Sequence, residues 1–113
     1  MTKIYVAGPM RGIEKLNFPA FNAAAADLRA SGFDAVNPVD INPDPNTPWR
    51  ECMNNDIIEL VKCDAIYMLV GWQNSKGASL EHHLAVELGL DLFYEEDDLD
   101  NNDDKRIDFE RTD

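Results

Sequence analysis

The sequence predicts an α/β fold: a short flavodoxin- or Rossmann-like three-layer sandwich, with a parallel sheet of about four strands in an order like 2-1-3-4 and helices on both faces. Three observations predict it. Short apolar runs alternate with longer stretches of helical periodicity as β-α-β-α-β-α-β, the order that builds a parallel sheet with crossover helices. Residues 64–70 are uniformly apolar after the leading aspartate, as a central strand buried on both faces must be. Right-handed crossovers then lead to the order 2-1-3-4.

The elements follow in turn. Residues 3–7 (KIYVA) form a strand stopped by Gly8-Pro9, and the MRGIEKLNF stretch after it shows no helical stripe and is expected to be a loop. Asn17 is expected to cap a helix over residues 18–31, in which Phe21, Ala24, Ala25 and Leu28 recur at helical spacing before Gly32 ends it. Residues 33–36 give a second strand. The next stretch, NPVDINPDPNTP, holds four prolines in a dozen residues, which argues against regular structure. Residues 49–62 read as an amphipathic helix with Met53, Ile57, Leu60 and Val61 on one face. The central strand leads into the loop GWQNSKG. A third helix follows over residues 78–90, with Leu80, Leu84, Val86 and Leu88 as its apolar residues, and residues 92–94 close the sheet.

A chain of 113 residues with 44% hydrophobic content supports one domain, over residues 1–94, without a metal or disulfide staple. From residue 95 the composition breaks: ten acidic residues face three basic ones, so −7 of the formal −12 lies in the tail. A solvated, flexible terminus is the plain reading. Two sharper readings are an arm docking Ile107 and Phe109 on a neighbouring subunit, and a nucleic-acid mimic. The net charge disfavours nucleic acid and anionic membranes as partners. Cys52 and Cys63 lie about three turns apart along one helix, too far for a disulfide, and both are expected to be reduced. With neither a secretory leader nor an apolar run of membrane-spanning length, the protein is expected to be cytoplasmic.

Parallel strands end together, so three groups should converge: Tyr5 with the GPMRG turn, Asp56 before the third strand, and residues 75–81 after it. Two carboxylates, a phenol, an arginine and free backbone N–H groups suit a sugar and a phosphate, and paired carboxylates are the usual means of breaking a glycosidic bond. Each part has a plainer explanation. Gly-Pro after a strand makes a turn, Glu81 near a helix start complements the dipole, and Asp56 can be an ordinary surface residue. Trp49 and Trp72, if not simply packed, offer an aromatic wall for a base.

Taken in order, IYVAGPMRG, NDIIELVKCDAIYML and NSKGASLEHHLAVELG resemble the nucleoside 2-deoxyribosyltransferase superfamily, over residues 4 to about 94. That superfamily includes deoxynucleoside 5′-monophosphate N-glycosidases and small, often phage-encoded relatives. The resemblance implies a catalytic set of Glu81 as the nucleophile at C1′, Asp56 as the acid for the departing base, and Tyr5 orienting the nucleophile. It implies substrate contacts at Gly8, Pro9, Arg11, Gly12, Ser75, Gly77 and Ala78, with Ser75 placed as in monophosphate-specific members. No metal and no cofactor is implied, and the partners are a deoxynucleotide or deoxynucleoside and further copies of the chain in a homodimer or higher oligomer. One departure is His83, where the family commonly has a small residue: its ring must point away or reshape the pocket. The adjacent His82-His83 pair diverges by about 100° on a helix and cannot chelate one ion. The reaction expected is N-glycosidic cleavage through a covalent Glu81–deoxyribosyl intermediate; the alternative is a binding module that keeps the pocket without turnover.

Overall fold

The computed structural model describes residues 1–95, and the tail from residue 96, with Ile107 and Phe109, lies outside the described residues. β1 (Lys3–Ala7), α1 (Phe18–Ala30), β2 (Asp34–Val36), α2 (Pro38–Ile41), α3 (Trp49–Leu60), β3 (Ala65–Met68), α4 (Lys76–Leu88) and β4 (Asp91–Tyr94) follow in order. The four strands form a parallel sheet in the order β2-β1-β3-β4. Its register sets Tyr5 opposite Val36 on one side and opposite Ile66 on the other, with Ile66 opposite Leu92.

Alternation along β1 divides the core. Ile4 and Val6 turn to the face covered by α1, where they meet Ala25, and Phe21 with Ala24, respectively. Tyr5 and Ala7 turn to the opposite face, with Leu60 from α3 and Ala78 and Ala85 from α4. The alanines of α1 let that helix lie close to the sheet. A phenol with its hydroxyl, rather than an aliphatic side chain, is thereby carried into the second face by strand geometry alone.

Gly8 is required by a close approach. A Cβ there would lie 2.7 Å from Leu69 Cβ, and Leu69 is itself buried. Gly8→Ala is expected to lower the unfolding free energy by ~1–3 kcal/mol through overpacking, read as a fall in the denaturation midpoint at unchanged slope.

Several local expectations are corrected. The proline-rich stretch contains a helical turn, α2, because Asn37 Oδ1 accepts from Val39 N at 3.0 Å and Pro38 occupies the position where a missing N–H costs nothing. Asn17 does not cap α1. It sits in left-handed backbone together with Lys15 and Leu16, at φ 60°, 55° and 52°, and its side chain donates to Pro9 O at 2.9 Å, tying the turn after β1 to the start of α1. Three successive non-glycine residues in that region are strained. The outer apolar positions also differ: Val61 is 50% exposed, and Leu80, Val86 and Leu88 face outward on α4, whose inward face is Gly77, Ala78, Glu81 and Ala85. A small-residue seam lets α4 sit against the sheet, so Leu80, Val86 and Leu88 are turned outward while Leu84 stays half-buried against the core. Glu95, on the tail side of the composition break, still joins the ladder: its N–H donates to Met68 O at 2.8 Å and its carboxylate accepts from Val70 N at 2.9 Å. Among the described residues no helix is long and apolar enough to cross a membrane.

Candidate active site

The chain leaves β1 for β2 on one side and β3 for β4 on the other. The loops after β1 and β3 therefore part and open a crevice over neighbouring strand ends. A cavity of about 1060 Å³ fills it, and Tyr5, Asp56 and Glu81 all line it. Each comes from a different element: β1, the inward face of α3 and the second turn of α4.

The Tyr5 hydroxyl donates to Glu81 Oε2 at 2.7 Å. Asp56 Oδ1 accepts from Asn42 Nδ2 at 2.8 Å. Both carboxyl groups are buried, at 5% exposure for Glu81 and 7% for Asp56. Burial pushes Glu81 up to about 8, with the Tyr5 hydrogen bond opposing the rise and the Asp56 charge adding to it. Burial likewise pushes Asp56 up to about 7 against the hydrogen bonds from Asn42 and Tyr5. The Tyr5 phenol itself is raised by burial and by both carboxylates, so it stays a donor. Two acids of nearly matched proton affinity, close enough to oppose one another's charge, hold one proton between them around neutral pH.

The rim is suited to an anion. Ser75 Oγ caps α4 by accepting from Ala78 N at 3.1 Å, so its lone pair is used while its proton stays available to donate. The N–H groups of Lys76 and Gly77 lead that helix and have no intrahelical partner. Arg11 is exposed at the same mouth. Gly77 serves the packing as well, because a Cβ there would lie 3.0 Å from Met53 Sδ and 3.5 Å from the Trp49 indole nitrogen. Trp49 in turn lies under Lys76, whose Nζ is 4.6 Å from the ring centroid.

Of the residues singled out in the sequence, Tyr5, Gly8, Pro9, Arg11, Asp56, Ser75, Gly77, Ala78 and Glu81 meet in one cavity. Gly12 does not line it: it is an exposed turn residue at φ 85°. His83 is exposed and absent from the lining, as a position 200° round the helix from Glu81 must be. The residue that departs from the resembled pattern therefore lies outside the cavity. His82 is occupied elsewhere, stacked on Trp72 with ring centroids 4.2 Å apart and hydrogen-bonded to the Tyr94 hydroxyl at 2.7 Å. Among the described residues no cluster of His, Cys, Asp or Glu is arranged to hold a metal ion.

Over residues 2–94 the sequence matches the family described as a domain of unknown function, DUF4406. The chain belongs to that family. This DUF4406 chain is similar in structure to the 2-deoxyribosyltransferase of the psychrotolerant bacterium Bacillus psychrosaccharolyticus, with a TM-score of 0.63 and 21% identity, covering 89% of this chain and 80% of that one. No curated protein matches the sequence. The likeness is one of fold, and with the observed strand order it bears out the α/β architecture with a parallel sheet in the order 2-1-3-4. Among the polar residues of the DUF4406 pocket that sequence reasoning passed over is Asn42 at the end of α2, which holds Asp56. The Asn-Pro pair before Val39, a helix-start signal, was the clue to the turn that carries it.

Proposed function

We propose that this protein is a retaining N-glycosidase or deoxyribosyl transferase acting on a 2′-deoxynucleoside 5′-monophosphate or the deoxynucleoside. One observation carries the reading: two buried carboxyl groups, with Tyr5 donating to one of them, line a single cavity whose rim is a helix N-terminus with a capping serine. Glu81 attacks C1′ as its carboxylate, and the C1′–N bond breaks with its electron pair moving to the base. Asp56 delivers its proton to the departing base. The Glu81–C1′ ester is then opened by water, whose proton returns to Asp56, or by a nitrogen of a second base. Ser75, the first N–H groups of α4 and Arg11 favour the monophosphate, and with it hydrolysis. The residues that face the ring need no metal or cofactor for these steps.

The deciding experiment incubates the protein with the four deoxynucleosides and their 5′-monophosphates, with free base read by chromatography and a sugar adduct on the protein read by intact mass. Base release from a deoxynucleotide together with an adduct on Glu81 is the expected result. Thermal stabilisation by nucleotides with no base released over hours would replace the enzyme with a binding module.

The same reading includes a homodimer. Ile58 on α3 and Val61 just after it are 55% and 50% exposed, and Leu80 and Leu88 on α4 are 40% and 53% exposed, on the two helices that share one sheet face. A second copy would cover this apolar surface. Sedimentation at micromolar concentration is expected to show a dimer that Ile58→Glu with Leu88→Glu converts to monomer; a monomeric parent protein would remove this part of the proposal.

A further inference from the structure

We propose that Asn42 is a positioning residue: its amide, fixed in one orientation by Asn55, holds Asp56 Oδ1 and so sets the rotamer and the proton affinity with which that aspartate faces the cavity. The kinetic arm of this proposal rests on the glycosyl-transfer reading; the structural arm does not.

The orientation is over-determined. Asn42 Nδ2 donates to Asp56 Oδ1 at 2.8 Å, while Asn42 Oδ1 accepts from Asn55 Nδ2 at 2.9 Å. Turning the amide over would set oxygen against oxygen at Asp56 and NH₂ against NH₂ at Asn55, so only one sense satisfies both ends. The backbone of Asn42 is fixed too, its N–H donating to Pro38 O at 2.9 Å to close α2. That turn is anchored in two further places: Asn37 Nδ2 donates to Asn22 Oδ1 on α1 at 2.9 Å, and Arg29 donates to Ala35 O at 2.9 Å, with Asp40 Oδ2 3.5 Å away. A four-residue helix in a proline-rich loop is thus tied to α1 at one end and to Asp56 at the other.

The groups facing Asp56 come from every neighbouring element. Tyr5 lies on β1, Glu81 on α4 and Cys52 one turn earlier on α3, with the Arg11 charge from the turn after β1 felt at Cys52. The burial of the site favours a protonated Asp56, whereas Asn42 and Tyr5, as donors, favour the ionised form. α2 adds no other charge, since Asp40 is directed to Arg29. Asn42 is therefore the neutral donor that keeps a buried acid from holding its proton permanently, and an acid that must give and regain a proton in each turnover needs this balance.

The test compares the parent protein with Asn42→Ala, Asn42→Asp and Asn55→Ala. Asp56 is followed by carboxyl ¹³C resonance against pH, assigned by its loss in Asp56→Asn, and kcat and KM are followed against pH for the deoxynucleotide that the parent cleaves. Loss of the donor raises the Asp56 titration by about one pH unit and moves the alkaline limb of kcat up by the same amount, while the freed Asp56 rotamer lowers the plateau of kcat by roughly tenfold with KM little changed. Asn42→Asp, which keeps the volume, moves the titration at least as far. Asn55→Ala gives a smaller shift in the same direction, because the amide is then free to turn. An Asp56 titration unmoved in both folded Asn42 variants overturns the proposal. A shifted titration in a protein that releases no base supports the positioning role and sinks the glycosyl-transfer reading instead.

Discussion

Glu81→Gln is expected to reduce base release by roughly 10⁴-fold or more and to abolish the covalent sugar adduct, while the protein stays folded and still binds nucleotide. The amide retains the size of the carboxyl group and can still accept the Tyr5 hydroxyl, which donates at 2.7 Å in the parent. What it loses is the oxygen nucleophile. The loss should appear almost wholly in kcat, since Glu81 lies deep in the cavity at 5% exposure and contributes little to ground-state grip on a phosphate at the rim. Single-turnover base release at saturating deoxynucleotide, with intact-mass analysis of quenched samples, checks this. A variant that keeps a tenth of the parent rate would remove Glu81 from the bond-breaking step and leave Asp56 to activate water directly.

Much of this arrangement was legible before any coordinates, and the reason is local. A buried parallel strand has to be apolar on both faces, so residues 65–68 declare themselves, and Gly8-Pro9 must end β1 because Leu69 fills the space a side chain would need. The order of elements and the handedness of crossovers then place the loops after β1 and β3 together. Tyr5, Asp56 and Glu81 meet because strand period, helix period and topology each direct one of them to the same crevice.

What was not legible depended on contacts distant in sequence. Four prolines masked α2, although Asn37 and Pro38 form a regular helix start. Asn42 gains its meaning only from Asp56 and Asn55, 14 and 13 residues further along. Asn17 looked like a cap because of its residue type; Pro9 O drew its side chain away instead. The outward Leu80, Val86 and Leu88 misled for another reason, since apolar spacing on a helix cannot distinguish the sheet-facing side from a side prepared for another surface. Gly12 was grouped with the pocket by motif; its role is the positive φ of the turn.

The buried carboxyl pair also makes the stability of the whole protein fall as pH rises, and removing one carboxyl should flatten that dependence. Glu81 titrates at about 8 in the folded protein against an ordinary value of 4.5, so across that window the folded state holds a proton that the unfolded chain has given up. Its contribution is therefore fully present below about pH 4.5, declines steadily as pH rises to about 8, and is constant above. Asp56, raised to about 7 from 3.8, slopes in the same sense over its own window. At ~1.4 kcal/mol per pH unit, the rise from 4.5 to about 8 means that the ionised Glu81 carboxylate costs on the order of 5 kcal/mol relative to its neutral form. Glu81→Gln carries no such penalty. The variant should match or slightly trail the parent at pH 5 and exceed it at pH 9, with the curves crossing between. Denaturation midpoints taken at half-unit steps from pH 5 to 9 test this, and parallel curves would mean that Glu81 is ionised throughout and that its proton is not the one shared with Asp56. Strain of this kind is hard to explain in a scaffold, where a neutral acceptor such as glutamine at position 81 would serve the Tyr5 hydroxyl without the penalty at high pH. It is what a site must accept if a carboxylate is to stand dry, aimed and ready beside a phenol.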